Sequence, residues 1–226
     1  MKRRILVVAA HPDDEILGCG GTIARLVKEG HRVSTLILGE GVTSRDASRD
    51  ADNRRLDIGK LRQEAVSANR IIGVREVSFC DFPDNRFDTV PFLDIVKTIE
   101  NMKKRIGPAA IFTHYHGDLN VDHRITYGAV ITAARPMRKE TVREIYSFEA
   151  LSSTEWNYPS TFSPDIFFDI TGTIGLKLKA MGIYKSELRK FPHPRSLKGV
   201  RLSAECWGIK TGLGCAEAFK AARMII

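Results

Sequence analysis

The most constraining stretch of the chain is Ile5 to Glu15, ILVVAAHPDDE. Ile5 to Ala10 are all apolar and together have the length of a strand. An unbroken run of that kind suits a strand buried on both faces, as in a parallel sheet covered by helices. One imidazole and three carboxylates follow at once: His11, Asp13, Asp14 and Glu15. Residues Glu15 to Glu29 carry apolar positions at Ile16, Leu17, Ile23, Leu26 and Val27, which makes an amphipathic helix that Gly30 ends. Arg32 to Leu38 (RVSTLIL) is a second strand, followed by the turn Gly39-Glu40-Gly41. Strand, helix and strand in that order predict a right-handed parallel crossover.

The alternation continues down the chain. The charged segment Thr43 to Lys60 reads as a loop or a very polar helix start, and Leu61 to Ile72 as helix up to Gly73. Val77 to Cys80 is a short strand. Phe92 to Ile106 is a helix stopped by Gly107-Pro108, and Ala109 to Thr113 is another buried-type strand. Asp122 to Arg135 is helical and Ile145 to Phe148 extended. Beyond these, Asp165 to Ile170 reads as strand, Thr173 to Lys190 as a long helix, and Ser196 to Trp207 and Ala216 to Ala222 as shorter helices. The pattern predicts an α/β class fold. Its architecture is a Rossmann-like, doubly wound, mostly parallel sheet flanked by helices, with the C-terminal third as an elaboration. No repeat or linker divides residues 1–226, so one domain is expected.

Hydrophobic residues are 43% and charged residues 27% of the 226, ordinary globular proportions that support a core. No apolar run approaches the roughly 18 residues of a membrane span. The start reads as a strand rather than a signal peptide, so the cytoplasm is the expected compartment. Cys19, Cys80, Cys206 and Cys215 form no C-x-x-C pair and are expected as free thiols. The net charge of +8 is dispersed, without an aromatic-interleaved basic stripe. Nucleic acid is therefore not an expected partner, whereas a phosphate-bearing small substrate fits.

Chemistry concentrates in two places. The first is AHPDDE, where strand one becomes helix one; in open parallel sheets ligands bind outside the carboxyl ends of strands. Acids at a helix N-terminus also complement the helix dipole, which accounts for Asp14 and Glu15 but not for His11. Asp13 and Asp14 are adjacent and must diverge, so one can hold a metal while the other faces a substrate. The second place is HYHGDLNVDHR, after the Ala109 to Thr113 strand. Three of the six histidines (His114, His116 and His123) lie there with Asp118, Asn120 and Asp122. His and carboxylate suit zinc, and catalytic zinc sites use three protein ligands plus water. His123, preceded by Asp122, reads as a ligand. His114 and His116 read equally well as satisfied imidazoles.

AHPDDE after strand one, paired with the downstream DHR, resembles the PIG-L/LmbE-like zinc-dependent de-N-acetylases. Arg62 and Glu64 before Ile71-Ile72-Gly73-Val74, and Phe82-Pro83-Asp84-Asn85-Arg86, are similar to further stretches of that family. GDLNVDHR, PHPRS (Pro192 to Ser196) and AEAF (Ala216 to Phe219) resemble a bacterial branch linked to sugar or surface-polysaccharide biosynthesis. The resemblance implies zinc held by His11, Asp14 and His123, with Asp13 as general base and Asp122 and Glu15 supporting them from behind. It implies hydrolysis of the amide of an N-acyl amino sugar, nucleotide- or lipid-linked or neither. Two histidines and a carboxylate also suit iron(II). A homo-oligomer is compatible with this reading.

Many members of the family read H-P-D-H where this chain has Asn120-Val121-Asp122-His123. Asn120 can donate a hydrogen bond to an oxyanion but cannot act as an acid near neutral pH. The proton for the leaving amine then comes from Asp13 or another histidine: His193 in Pro192-His193-Pro194-Arg195, with His116 behind it. Arg62 and Arg195 are the arginines expected to touch substrate, ahead of Arg45 and Arg86, each of which also reads as a surface residue. Trp156 and Tyr158 read as a sugar-stacking wall or as packing. Three other readings stand beside this one: the same chemistry on a thiol-cofactor precursor, a Rossmann-type nucleotide binder, and an inactive homologue. Gly18-Cys19-Gly20-Gly21 lacks the G-x-G-x-x-G spacing that the nucleotide binder requires.

Overall fold

The structure, a computed structural model, describes residues 2–226. Among these, seven strands form one sheet in the order β3-β2-β1-β4-β5-β7-β6. The strands are β1 (Arg4–Ala9), β2 (Arg32–Gly39), β3 (Glu76–Phe82), β4 (Ala110–His114), β5 (Glu144–Phe148), β6 (Ile166–Asp169) and β7 (Ala216–Met224). The first five run parallel, while β7 is antiparallel to both β5 and β6. The helices are α1 (Asp14–Lys28), α2 (Arg55–Ile71), α3 (Phe92–Ile106), α4 (Val121–Ala133), α5 (Ile174–Met181) and α6 (Leu197–Thr211).

The apolar run of β1 explains the two layers. Ile5, Val7 and Ala9 point to one face and join the core under α1, α2 and α5. Leu6, Val8 and Ala10 point to the other and join the core under α3 and α4. Strand side chains alternate faces, so a strand covered on both sides has no polar register to keep. Each fully buried Leu or Ile contributes roughly 1.5–3 kcal/mol. Strand order reverses between β1 and β4, where the chain leaves β1 for β2 on one side and later returns to β4 on the other. Their carboxyl ends therefore share one crevice, the place where this architecture binds ligands.

Two local features position the crevice. Gly18 lets α1 lie on β5: a Cβ there would come within 2.2 Å of the Phe148 ring. Asp13, the N-cap of α1, has φ 108°, a conformation that L side chains rarely adopt. Its backbone is pinned by bonds from Ile16 N and Leu17 N to its carbonyl, at 3.0 and 2.9 Å. Such backbone strain costs of order 1–3 kcal/mol and persists only where the surroundings enforce it.

The parallel core follows the sequence reading, and two segments depart from it. Ala216 to Met224 is strand, not helix. Alanine, glutamate and lysine favour helix locally, but pairing on both sides with β5 and β6 outweighs that preference. The helix expected from Thr173 to Lys190 ends at Met181, and turns carry the chain from Gly182 onward. Helix α2 starts at Arg55, so the charged segment holds the polar helix start rather than only a loop, and Ile58 already reaches the core. Among the described residues no helix is long and apolar enough to cross a membrane.

Candidate active site

His11, Asp14 and His123 converge at the β1/β4 crevice. One donor atom from each lies within 4.8 Å of the others. Asp14 Oδ2 is 3.4 Å from His11 Nδ1 and 3.3 Å from His123 Nε2. Asp14 Oδ1 is buried without a hydrogen-bond partner. Each imidazole is backed by a carboxylate on its far nitrogen: His11 Nε2 lies 2.9 Å from Asp122 Oδ2, and His123 Nδ1 lies 3.0 Å from Asp118 Oδ1. Asp84 adds a third acid, 3.3 Å from His11 Nε2. Carboxylates behind ligating imidazoles fix the tautomer and raise ligand basicity.

The electrostatics show what this cluster lacks. Burial lowers the pKa of His123, but Asp14 and Asp118 more than compensate and raise it to about 9. Burial likewise acts against the charged form of His11, and its bonds to Asp122 and Asp14 leave its pKa raised. Burial pushes the Asp14 carboxyl up, while His123, His114 and His11 hold it well below the usual range. With several carboxylates around them, the His11 and His123 imidazoles hold protons tightly because the site is short of positive charge. A divalent cation on His11, Asp14 and His123 would supply that charge and give Asp14 Oδ1 a partner, so the donor set fits zinc or iron(II).

Asp13 diverges from Asp14 as adjacency requires. Its Oδ2 lies 3.3 Å from Arg195 Nη1, and Arg195 in turn donates from Nε to Ser152 Oγ at 2.7 Å. Burial raises the pKa of Asp13; Arg195 opposes this, and Asp14, Glu187 and Glu15 reinforce it. Glu15 lies behind Asp13. Its Oε2 accepts from Asp13 N at 3.0 Å, and its Oε1 accepts from Asn69 Nδ2 at 2.9 Å and from the Tyr184 hydroxyl. Burial carries the Glu15 carboxyl up to about 7, against the Tyr184 hydrogen bond.

The remaining expected residues are placed as follows. Asn120 is the N-cap of α4: its Oδ1 accepts from Asp122 N at 2.8 Å and its Nδ2 donates to Asn85 Oδ1 at 2.7 Å, so its amide is engaged. His193 Nδ1 accepts from Arg195 N at 3.1 Å, and its ring meets the Trp156 edge at 5.4 Å. His116 is exposed and lies beside Tyr115 and Tyr127, apart from the cluster. Arg62 is drawn to the Cys80 carbonyl and the Asp81 carboxylate at the edge strand, away from the crevice.

Sequence reasoning gave no role to Asp118, although it quoted the motif that contains it. Asp118 accepts from Asn120 N at 2.8 Å and from the Ser153 and Thr154 hydroxyls, which fixes the face it turns to His123. His114 is a buried neighbour: its ring stacks on His123 at 3.9 Å, and its Nε2 accepts from Ala10 N at 2.9 Å. Burial and the charge of His123 lower its pKa to about 3, so it stays neutral. Tyr184, Glu187 and Asn69 come from distant segments, and nothing in their local sequence marks them.

Comparison with known proteins agrees with this geometry. The chain is 30% identical over 192 residues to a probable N-acetyl-alpha-D-glucosaminyl L-malate deacetylase 2 of Bacillus cereus, covering 83% of this chain and 84% of that one. Its fold is similar to that of N,N'-diacetylchitobiose deacetylase from Pyrococcus horikoshii, with TM-score 0.76 and 21% identity over 98% of this chain and 84% of that one. It is also similar to GalB, the 4-carboxy-2-hydroxymuconate hydratase of Pseudomonas putida KT2440, with TM-score 0.75 and 21% identity over 100% of this chain and 98% of that one. Shape alone therefore does not choose the reaction, and the site residues must. The model of the PIG-L family, GlcNAc-PI de-N-acetylase, matches residues 6–134, the span that carries every residue of the His–Asp cluster, and the chain belongs to that family.

Proposed function

We propose that the protein is a metal-dependent hydrolase that removes the N-acetyl group from an amino sugar or amino-sugar conjugate. The observation that carries this reading is the His11–Asp14–His123 donor set, with a separate buried carboxylate, Asp13, beside it on the same turn. Zinc or iron(II) held by those three residues supplies a Lewis acid that makes water nucleophilic near pH 7 and polarises the amide carbonyl.

The chain's own residues do the rest. Asp13 takes the proton of the attacking water. Its raised pKa suits a base that must also give the proton back, and Arg195 on Oδ2 orients it. Asp122 and Asp118 hold the two imidazoles in their ligating tautomers. The departing amine needs a proton, and His193, next but one to the Arg195 that contacts Asp13, is the candidate donor. Its Nδ1 is occupied by Arg195 N, which leaves the proton on Nε2. Burial, then Arg195 and Arg189, lower its pKa, so His193 rests neutral and can donate only after taking up a proton, for which the one Asp13 removes from water is the source. Arg195 is better suited than Asn120 to steady a developing negative charge, because it carries a full positive charge and Asn120 Nδ2 already gives one of its two N–H groups to Asn85. Arg195, in contact with Asp13, is the arginine we assign to the substrate, ahead of Arg62, which is held by Asp81 and the Cys80 carbonyl, and of His116. Four free cysteines fit a reducing compartment, and we place the enzyme in the cytoplasm.

The test compares purified wild type with His123→Ala for bound metal and for acetate release from N-acetylglucosamine conjugates, including malate-, nucleotide- and lipid-linked forms. About one equivalent of metal in wild type, lost in the variant together with acetate release, is the expected result. A wild type that takes up no zinc or iron(II) and releases no acetate overturns the reading. Near-wild-type turnover of His193→Ala across pH would remove His193 as the proton donor.

A further inference from the structure

The end of the sheet opposite the metal cluster carries a cleft of about 1070 Å³ that the proposed reaction does not use. Its walls are the amino ends of β1 and β2, the approach to β3, and the carboxyl ends of α2 and α3. Five arginines line it, Arg4, Arg32, Arg70, Arg75 and Arg105, against one carboxylate, Glu76. The carbonyls at the ends of α2 and α3 account for part of this charge, since cations there complement the helix dipole. Arg4 Nε donates to the Gly107 carbonyl at 3.2 Å, just past α3. Arg105 pairs with Glu76 at 2.9 Å, and Ser34 Oγ donates to the same carboxylate at 2.7 Å. Glu76 is thereby fully engaged.

Arg32, Arg70 and Arg75 remain. All three are exposed, and among the described residues their guanidinium groups have no hydrogen bond or salt bridge. Arg4 and Arg32 are register partners on neighbouring parallel strands. Like charges placed opposite one another on a sheet are unfavourable unless an anion lies between them. His31 adds a donor: its Nδ1 accepts from Arg3 N at 3.2 Å, which leaves the ring proton on Nε2.

We propose that this cleft binds a compact anion carrying several phosphate groups. Arginine forks match phosphate oxygens two at a time, and three unpaired forks around one concavity are matched by a phosphate chain rather than by a single carboxylate. The lining holds no Phe, Tyr or Trp, so it offers no large aromatic face for a nucleic-acid base, and its positive charge dominates. The recognised part is therefore the phosphate chain itself. The site lies roughly 23 Å from His11, counting the seven residues from Arg4 at ~3.3 Å each, so it is separate from the metal cluster and binds independently of it.

The experiment is calorimetric titration of metal-loaded protein at low salt with tripolyphosphate and, separately, with ATP. Four proteins are compared: wild type, R32A/R70A/R75A, a charge-matched control R55A/R138A/R201A, and H123A to remove any contribution from the metal cluster. Wild type, control and H123A are expected to bind one tripolyphosphate with similar affinity, which weakens as salt rises. The cleft variant is expected to bind about tenfold more weakly or worse, with an unchanged melting temperature and unchanged acetate release. ATP should bind wild type within about twofold of tripolyphosphate if the chain alone is read. No saturable binding by wild type, equal binding by the cleft variant, loss in H123A, or much tighter ATP binding overturns the proposal. Because the readout is binding, its failure is distinguishable from failure of the hydrolase reading.

Discussion

Asp118 makes the sharpest test of how the metal cluster is held. Its carboxylate accepts from Asn120 N and from the Ser153 and Thr154 hydroxyls, and faces His123 Nδ1 at 3.0 Å. Burial would raise its pKa, but its bonds to His123, Ser153 and Thr154 bring it down to about 2, so it is a carboxylate throughout the physiological range. Asp118→Asn preserves volume and one acceptor oxygen. It removes one of the two negative charges, those of Asp14 and Asp118, that make His123 basic, and offers an N–H₂ group where Ser153, Thr154 or His123 now finds an acceptor. Losing one carboxylate behind a ligating imidazole typically weakens metal binding 10–100-fold, about 1.4–2.7 kcal/mol. Competition for zinc against a chromophoric chelator at pH 7 reads this directly, on the folded variant and on Ser153→Ala as a milder control. A dissociation constant within twofold of wild type in folded Asp118→Asn would refute the claim that this carboxylate supports His123 as a ligand.

Asp13→Asn should keep its metal and lose roughly 10²–10⁴-fold in turnover, the usual worth of a general base; wild-type turnover would assign that proton to another group. Gly18→Ala drives a methyl group into the Phe148 ring, within 2.2 Å of it. Overpacking of that kind costs about 1–3 kcal/mol or more, to be read by denaturant unfolding, and no shift in midpoint would mean that α1 can lift off β5. Burial carries the Glu149 carboxyl from 4.5 to about 7, against a hydrogen bond from Trp207 Nε1. Its folded-state pKa lies above the unfolded one, so protonation favours folding. The contribution is fully present below about pH 4.5 and disappears as pH rises through about 7, amounting to at most ~3 kcal/mol. The stability difference between wild type and Glu149→Gln should change across that window, which also cancels the similar behaviour of Glu15; a constant difference would count against it.

What the sequence disclosed depends on how far apart the cooperating residues lie. The parallel core was legible because β1, β2 and β4 are buried on both faces and say so residue by residue. His11, Asp14 and His123 were legible because each follows a strand at the edge where such sheets bind ligands. The strand Ala216–Met224 was not, since its local composition is helical and only pairing with β5 and β6 makes it extended. Arg62 misled for a related reason: a motif-like neighbourhood gave no sign that Asp81 and the Cys80 carbonyl would claim its guanidinium.

The strained turn at Asp13 ties these scales together. Asp14 must enter α1 with its carboxylate turned to two imidazoles, and Asp13 must present its own to Arg195 in the opposite sense. The turn between them is made with a positive φ at Asp13, at a cost of order 1–3 kcal/mol. Glu15 meets part of that cost by accepting the Asp13 N–H, and Tyr184 and Asn69 hold Glu15 in turn. The residues that keep the two acids apart thus come from α1, α2 and the segment after α5. The C-terminal third, which as sequence reads as an elaboration, closes the back of the site through Tyr184 and its rim through Arg195.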